Sequence, residues 1–472
     1  MSWIGLALFV LAIALMVGTG LPAYAVLLGA ASVGAGLGLA AGAFEWPILG
    51  ALPARIVGLL EHDLLQALPL YALIGALLNR LPLAALLHRA GEHVFARSGA
   101  AAEMSALGVG ALLAPMNGSV GASLHALAQR VAPALAASGV APAQAAATVC
   151  VASTLGIVIP PSLVLLLLGD AMMRAHTEAA NTAHLSVQIV NTQDIVRAAL
   201  TPGLLVLAAA LAIAAWRGRG RPRRALPPLG RGAALQAAIV ALMIALLLAA
   251  VATGRLYAVE AAATGAAGLF VWALAARRLD AAALRGVVYD AMVLTGVLMA
   301  LLVAATTFSL VLRALGTDGL VALGLQGLGG HPQLLLGAVL LGLVLCSFVL
   351  DAFEMIFLVI PIVMPPLLNA VPDAAWVAAL TLVVLQAGFL LPPLGYAVVM
   401  SRRTLATPVA ASALAKALLP QLVAQALVVA LLVAAPRIVH WLDDSPHAAA
   451  PAPSDADIER LMDEASRGRE PR

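Results

Sequence analysis

The pattern Gly-x-x-x-Pro-Pro occurs twice in this chain, at Gly156, Pro160 and Pro161 (TLGIVIPPS) and at Gly388, Pro392 and Pro393 (QAGFLLPPLG). Both copies lie inside long apolar runs. A proline in a helix interior removes one backbone hydrogen bond and clashes with the preceding turn, so two adjacent prolines after a glycine predict a break in each helix. In hydrocarbon, non-helical backbone is tolerated only where it packs against protein or lines a wet cavity, and there its freed carbonyls and amides can bind something. Matched interruptions in two halves point to a transporter site.

The step from Pro160 to Pro392 sets an offset between the two copies, and neighbouring features keep nearly the same one. Pro133 maps onto Pro365, and Tyr24-Ala25-Val26 maps onto Tyr257-Ala258-Val259. Order and spacing hold over most of each half. The expectation is an internal duplication of residues 1–215 and 233–435, joined by a linker at 216–232 and followed by a polar tail at 436–472.

Such breaks matter only if the chain is embedded in lipid, and composition decides that. Hydrophobic residues make up 63% of 472, charged residues 10%, and mean hydropathy is +1.03. A soluble domain is nearer a quarter charged, so the chain reads as an all-α polytopic membrane protein. The net charge of +3 comes largely from loop arginines and speaks to topology, not to nucleic acid. Cys150 and Cys346 lie in apolar runs and read as buried thiols, with no disulfide framework and no CxxC metal site. The first apolar stretch, 3–17, lacks a basic leader and runs into another span, which suggests a retained helix.

Apolar stretches near 3–17, 20–43, 48–60 and 64–79 open the chain, and a polar stretch at 80–97 reads as a loop or interfacial helix. Residues 111–133 place two short apolar arms around a turn of Asn117, Gly118, Ser119, Gly121 and Ser123. That is too short for two full spans and suits a re-entrant hairpin, although a small-residue packing face would look the same. A broken helix at about 143–173 follows, with Ser153 and Thr154 before the break and Ser162 after it. The polar insertion 174–195 reads as a solvated loop or a partner surface. After a span at 196–215, the segment 217–231 carries six arginines and no acid, which places it in the cytoplasm.

The second half repeats the plan. Spans near 234–252, 256–275 and 288–312 lead to a second hairpin at 346–366 with Asp351 and Glu354 between its arms. A second broken helix at about 376–400 has Gln386 ahead of the break and Tyr396 behind it. An odd number of crossings per half makes the halves inverted repeats, with both termini outside. Asp351 is the residue of greatest weight, because an ionisable group at membrane depth costs about 3 kcal/mol on insertion scales and implies a use. A structural carboxylate capping a half-helix is the competing role. Glu260 reads as a helix-packing or interface acid and His125 as a packed histidine. An intramembrane hydrolase using Ser119 and His125 is disfavoured, since positions i and i+6 do not face each other on a helix. An ion channel or antiporter subunit remains a rival.

The segments GSVGAS, STLGIVIPPSLVLLLLGDAM, YAVEAAATGA, FSLVLRALGTDGLV, LDAFEMIFLVIPIVMPPLL and GFLLPPLGYAV resemble the large membrane subunit of TRAP transporters, the tripartite ATP-independent periplasmic carriers, over residues 5–435. LDAFEMIFLVIPI and VNTQD look closer to the mannitol, chloroaromatic or 2-oxo-acid branch than to the sialic-acid branch. The resemblance implies a sodium-coupled elevator importer in the bacterial inner membrane. A periplasmic binding protein would deliver an organic acid, and a small four-helix membrane subunit would brace the complex. The implied cargo includes sodium ions, with no prosthetic group and no enzymatic activity. A stand-alone ion-coupled carboxylate carrier of the same architecture is the alternative.

Carried onto this chain, the first sodium site draws on Gly118, Ser119, Ser123, Ser153, Thr154 and Gly156, and the second on Asp351, Gln386, Gly388 and Pro392. Asn117, Ser119, Ser162, Glu354 and Tyr396 would line the substrate path. Two departures stand out: Leu391 replaces a usual Thr or Ser before the second proline pair, and Pro115-Met116-Asn117 replaces a small hydroxyl run at the first hairpin. No intramembrane lysine or arginine is placed to pair with a substrate carboxylate, so anion binding would rest on helix ends, hydroxyls and sodium.

Overall fold

The computed structural model describes residues 2–61, 63–183, 190–223, 226–326, 331–405 and 408–441, and every regular element among them is helical. In the first half these are α1 (Ser2–Thr19), α2 (Ala23–Ala40), α3 (Trp46–Leu49), α4 (Leu52–Leu60), α5 (Asp63–Arg80), α6 (Leu83–Val94) and α7 (Ala101–Leu113). They continue as α8 (Val120–Arg130), α9 (Ala132–Ala137), α10 (Pro142–Val158), α11 (Leu163–Ala183) and α12 (Thr192–Arg217). The second half has α13 (Arg231–Ala252), α14 (Ala258–Ala275), α15 (Ala281–Ala314), α16 (Thr317–Gln326), α17 (Pro332–Cys346) and α18 (Ala352–Glu354). A π-turn at Met355–Val359 leads into α19 (Ile360–Ala370), followed by α20 (Ala374–Leu390), α21 (Tyr396–Thr404) and α22 (Ala411–Ala434).

Among the described residues, seven helices are long and apolar enough to cross a bilayer, or up to nine if each bent pair counts as one span. The bent pairs are α5 with α6, at 70°, and α10 with α11, at 41°. Shifted by the offset that carries Pro160 onto Pro392, α1, α2, α5, α6, α7 and α10 overlap α13, α14, α15, α16, α17 and α20, and α10 lands on α20 end to end. The correspondence fails after the second break, where α21 has 9 residues against 21 in α11. In the second half, α4 and α5 have one counterpart, the 34-residue α15.

The packing interleaves the halves. α5 lies against α14 and α15 against α2, while α11 packs on α19 and α21 on α8. At the centre α10 and α20 are buried along nearly their whole length, Ala145–Val158 without interruption in the first. A helix apolar on every face can be satisfied only inside a bundle or by lipid, and here protein surrounds both.

Of the two readings of 80–97, the helix holds for Leu83–Val94, which form α6 and bury Leu83, Ala84 and Leu87 on one face. Three other sequence expectations change. Residues 174–183 continue α11 instead of opening a loop: Arg174 pairs with Asp170 one turn back at 3.0 Å, and Glu178 takes a 2.9 Å bond from Arg313 of α15. Residues 184–189 of that insertion lie outside the described residues, as do 442–472 of the polar tail. His125 is exposed, with its ring 2.9 Å from Gln129, and is not a packed histidine, because the buried face of α8 belongs to Ser123, Leu124 and Leu127. Cys150 is buried, but Cys346, expected to be buried, is only half-buried at the end of α17. Glu260 caps α14 by accepting the Tyr257 amide at 2.9 Å.

Candidate functional site

Each Pro-Pro pair ends a buried helix. α10 stops at Val158 and α20 at Leu390, and the extended Ile159 and Leu391 lead into Pro160-Pro161 and Pro392-Pro393, both cis. Ser162 starts α11 by accepting the Leu165 amide at 3.0 Å, whereas Gly395 at the start of α21 has no side chain to do so. Gly395 is needed for another reason. A Cβ there would meet the carbonyls of Phe389, Leu391 and Gly388 at 2.5, 2.8 and 2.9 Å.

The tip between α7 and α8 is a short 3-10 turn, Pro115–Asn117, reversed by Gly118 at φ +68, a region glycine enters without strain. Ser119 then caps α8, its hydroxyl facing the Ala122 amide at 3.5 Å, and Ser123 donates to the Ser119 carbonyl at 2.9 Å. This tip is wedged between two glycines. A Cβ on Gly75 of α5 would lie 3.0 Å from the Asn117 carbonyl, and one on Gly156 would lie 2.5 Å from that of Ala114.

Between the tip and the first break lies a narrow cavity lined by Gly118, Ser119, Ser153, Gly156 and Ser162, with room for about one water-sized species. The Ser153 hydroxyl donates to the Cys150 carbonyl at 2.9 Å. Thr154 donates to Cys150 and Val151 at 3.1 and 3.0 Å. Their protons are committed to the helix, so their oxygen lone pairs remain for a donor or a cation. Asn117 is buried and its side-chain oxygen has no partner, an arrangement that costs about 1–3 kcal/mol unless something fills it.

In the second half, α17 ends at Cys346 and the next helix starts on Asp351. Asp351 accepts the Glu354 amide at 2.9 Å, and Glu354 accepts the Asp351 amide at 3.0 Å, a reciprocal capping box. Asp351 stands at the repeat offset from Ser119 and does the same capping work. The π-turn follows at once and ends before Pro361, which cannot supply an amide to the Phe357 carbonyl. Gly388 receives the Ser347 hydroxyl where its own Cβ would be, as Gly156 receives Ala114. Ser347 has no place in the sequence expectation. Its signal was positional, since Ala114, the bend residue seated on the first glycine, precedes it by nearly the same offset.

The structure draws Gln386 toward the first half. Its amide nitrogen donates to Thr154 at 3.4 Å, and its oxygen, fully buried, has no partner. The pair is separated by the same offset, so equivalent positions of the two halves meet. No hydrogen bond joins Gln386 to Asp351 among the described residues. Tyr396 bridges the halves: its ring lies 5.8 Å from that of Phe389, its hydroxyl sits over Gly121 near Ser119, and it is within the electrostatic reach of Asp351 and Glu354. Asp351, Glu354, Ser119 and Tyr396 are all half-buried, so they border accessible space. Ser119 and His125 form no pair, since Ser119 faces Ala122 and His125 faces Gln129. The buried Gln421 and Gln425 of α22, with three unpartnered side-chain atoms between them, also went unanticipated; intramembrane amides were their signal.

Among the described residues, no three His, Cys, Asp or Glu side chains gather into a metal cluster. What the site offers is a set of carbonyl, hydroxyl and amide oxygens at helix ends, with two carboxylates.

Residues 4–438 match the family described as the tripartite ATP-independent periplasmic transporter, DctM component. No curated protein matches the chain. Among solved structures, it is similar to the YdaH transporter of Alcanivorax borkumensis, with a TM-score of 0.55 at 17% identity over 83% of this chain and 87% of that one. That likeness concerns the fold. With the family match spanning nearly its whole length, the chain belongs to the DctM family, the membrane component of tripartite ATP-independent periplasmic transporters.

Proposed function

We propose that this component imports a small organic anion together with sodium across the inner membrane, working with a periplasmic binding protein and a small membrane subunit. The observation that carries the reading is the narrow cavity between the first hairpin tip and the break in α10, lined by Gly118, Ser119, Ser153, Gly156 and Ser162. Sodium is a hard cation that takes carbonyl and hydroxyl oxygens, and the side-chain oxygens of Asn117, next to the cavity-lining Gly118, and of Gln386, bonded to Thr154, are buried without a partner. The second sodium would bind beside Asp351 and the carbonyls around Gly388 and Pro392.

Charge order supports coupling. An anion approaching Tyr396 and Ser119 meets the Asp351 and Glu354 carboxylates, and like charges at contact distance repel. Sodium held by those carboxylates would reverse the sign of the field before substrate enters, while the starts of α8 and α11 present their positive dipole ends. In this reading the two hairpins are re-entrant, the halves are inverted, and the unit around α10 and α20 moves as an elevator against the surrounding helices.

The test is uptake of labelled small carboxylates into proteoliposomes holding this chain and its small membrane subunit, with the binding protein and an inward sodium gradient each added or withheld. Uptake that requires both is the expected result. Uptake driven by protons, or without the binding protein, would leave a stand-alone carrier of the same architecture.

A further inference from the structure

The linker between the halves forms part of a cleft. Arg97, from the turn after α6, and Arg219, Arg221 and Arg223, from the segment after α12, line one opening of about 490 Å³ together with Phe95. No acid lines it among the described residues. Arg97 and Arg219 are distant in sequence, with six helices between them, so the fold has brought them together.

The cleft has a fixed floor. A Cβ on Gly99 would meet the Gly218 and Arg221 carbonyls at 2.5 and 2.8 Å, and one on Gly218 would meet the Ala100 Cβ at 2.6 Å, so the linker backbone is seated directly on the α6–α7 turn. Arg221 fastens it, donating to Glu103 at 2.8 Å and to Gln144 at 2.7 Å. Glu103 is 1% exposed, so that pair consumes the charge of Arg221. Arg97, Arg219 and Arg223 are exposed and have no acidic partner among the described residues.

Orienting a membrane protein requires positive charge in a loop and nothing more specific. It does not require three uncompensated guanidinium groups around one docked cleft, where they repel each other unless an anion lies between them. The apolar surroundings say where that anion comes from. Val94 lines the cleft and is 77% exposed, and Trp216, which follows the cleft-lining Ala215 in sequence at the end of α12, is 60% exposed, the exposure of side chains that sit at a membrane interface.

We propose that this cleft binds the phosphate headgroup of an anionic phospholipid, with Arg97, Arg219 and Arg223 on the phosphate oxygens and the acyl chains leaving past Val94. Basic pockets on the cytoplasmic side of membrane proteins suit such headgroups. Soluble phosphate offers the same chemistry without the chains, and the experiment separates the two.

The full chain in neutral detergent is titrated with phosphatidylglycerol, cardiolipin or phosphatidylcholine and followed by native mass spectrometry, with inorganic pyrophosphate as competitor. The anionic lipids are expected to bind at least about tenfold more tightly than phosphatidylcholine. Each of R97Q, R219Q and R223Q should weaken them about fivefold, while R231Q, outside the cleft with the same loss of charge, leaves the preference intact. Equal binding of phosphatidylcholine, or an unchanged preference in the single variants and the triple variant, overturns the proposal. Pyrophosphate binding as tightly as the lipids overturns the lipid assignment and makes this a soluble-phosphate site. The single variants carry the test if the triple variant does not fold.

Discussion

The Asp351 carboxylate accepts the Glu354 amide at 2.9 Å, so a substitution there changes a helix cap and a charge together. Two variants separate the roles. Asn caps about as well as Asp, so Asp351→Asn is expected to unfold within about 0.5 kcal/mol of the parent, whereas Asp351→Ala loses about 1 kcal/mol with the cap. If Asp351 also holds sodium, both variants lose the extra thermal stability that sodium gives the parent over potassium. If it is only a cap, Asp351→Asn keeps that increment in full. The sequence marked Asp351 because a carboxylate amid apolar residues is conspicuous. It could not mark Ser347, an ordinary hydroxyl whose importance comes from the glycine opposite.

At the scale of elements, the bends after α7 and α17 are each seated on a glycine near the end of α10 or α20, but the two seats differ in kind. Ser347 fills the space over Gly388 with a side chain, and Ala114 fills that over Gly156 with backbone. Gly388→Ala is therefore expected to cost about 1–3 kcal/mol and to be largely rescued by Ser347→Gly. Gly156→Ala should cost at least as much and be rescued little by Ala114→Gly, because the Ala114 carbonyl at 2.5 Å stays in place. Thermal unfolding of the purified variants decides. A neutral Gly156→Ala would mean that the first bend is not seated there. The breaks themselves were legible, since proline and glycine act through local geometry. The helicity of 174–183 was not, because tertiary packing buries Ala175, His176 and Ala179 and brings Glu178 to Arg313 of α15, a contact 135 residues away.

For the whole molecule, the interleaving of α11 with α19 and α21 with α8 makes neither half complete alone. A chain divided at 226–230 is expected to yield fragments that aggregate when expressed singly and purify together when co-expressed. Recovery of either fragment as a stable monomer would contradict that packing. The offset read from the sequence carries helix onto helix only as far as α20. Beyond it α21 is cut short, and no periodicity in so uniformly apolar a stretch signalled where the two plans part.

The meeting of Thr154 and Gln386 carries one more implication. On the duplication reading, a precursor that assembled as two separate identical copies would have set this position against itself, and whatever residue stood there had to tolerate its own image. Fusion into one gene would have lifted that restriction. A hydroxyl that receives and an amide that gives face each other at this point, and on that reading the centre of the molecule could become lopsided while its frame stayed even.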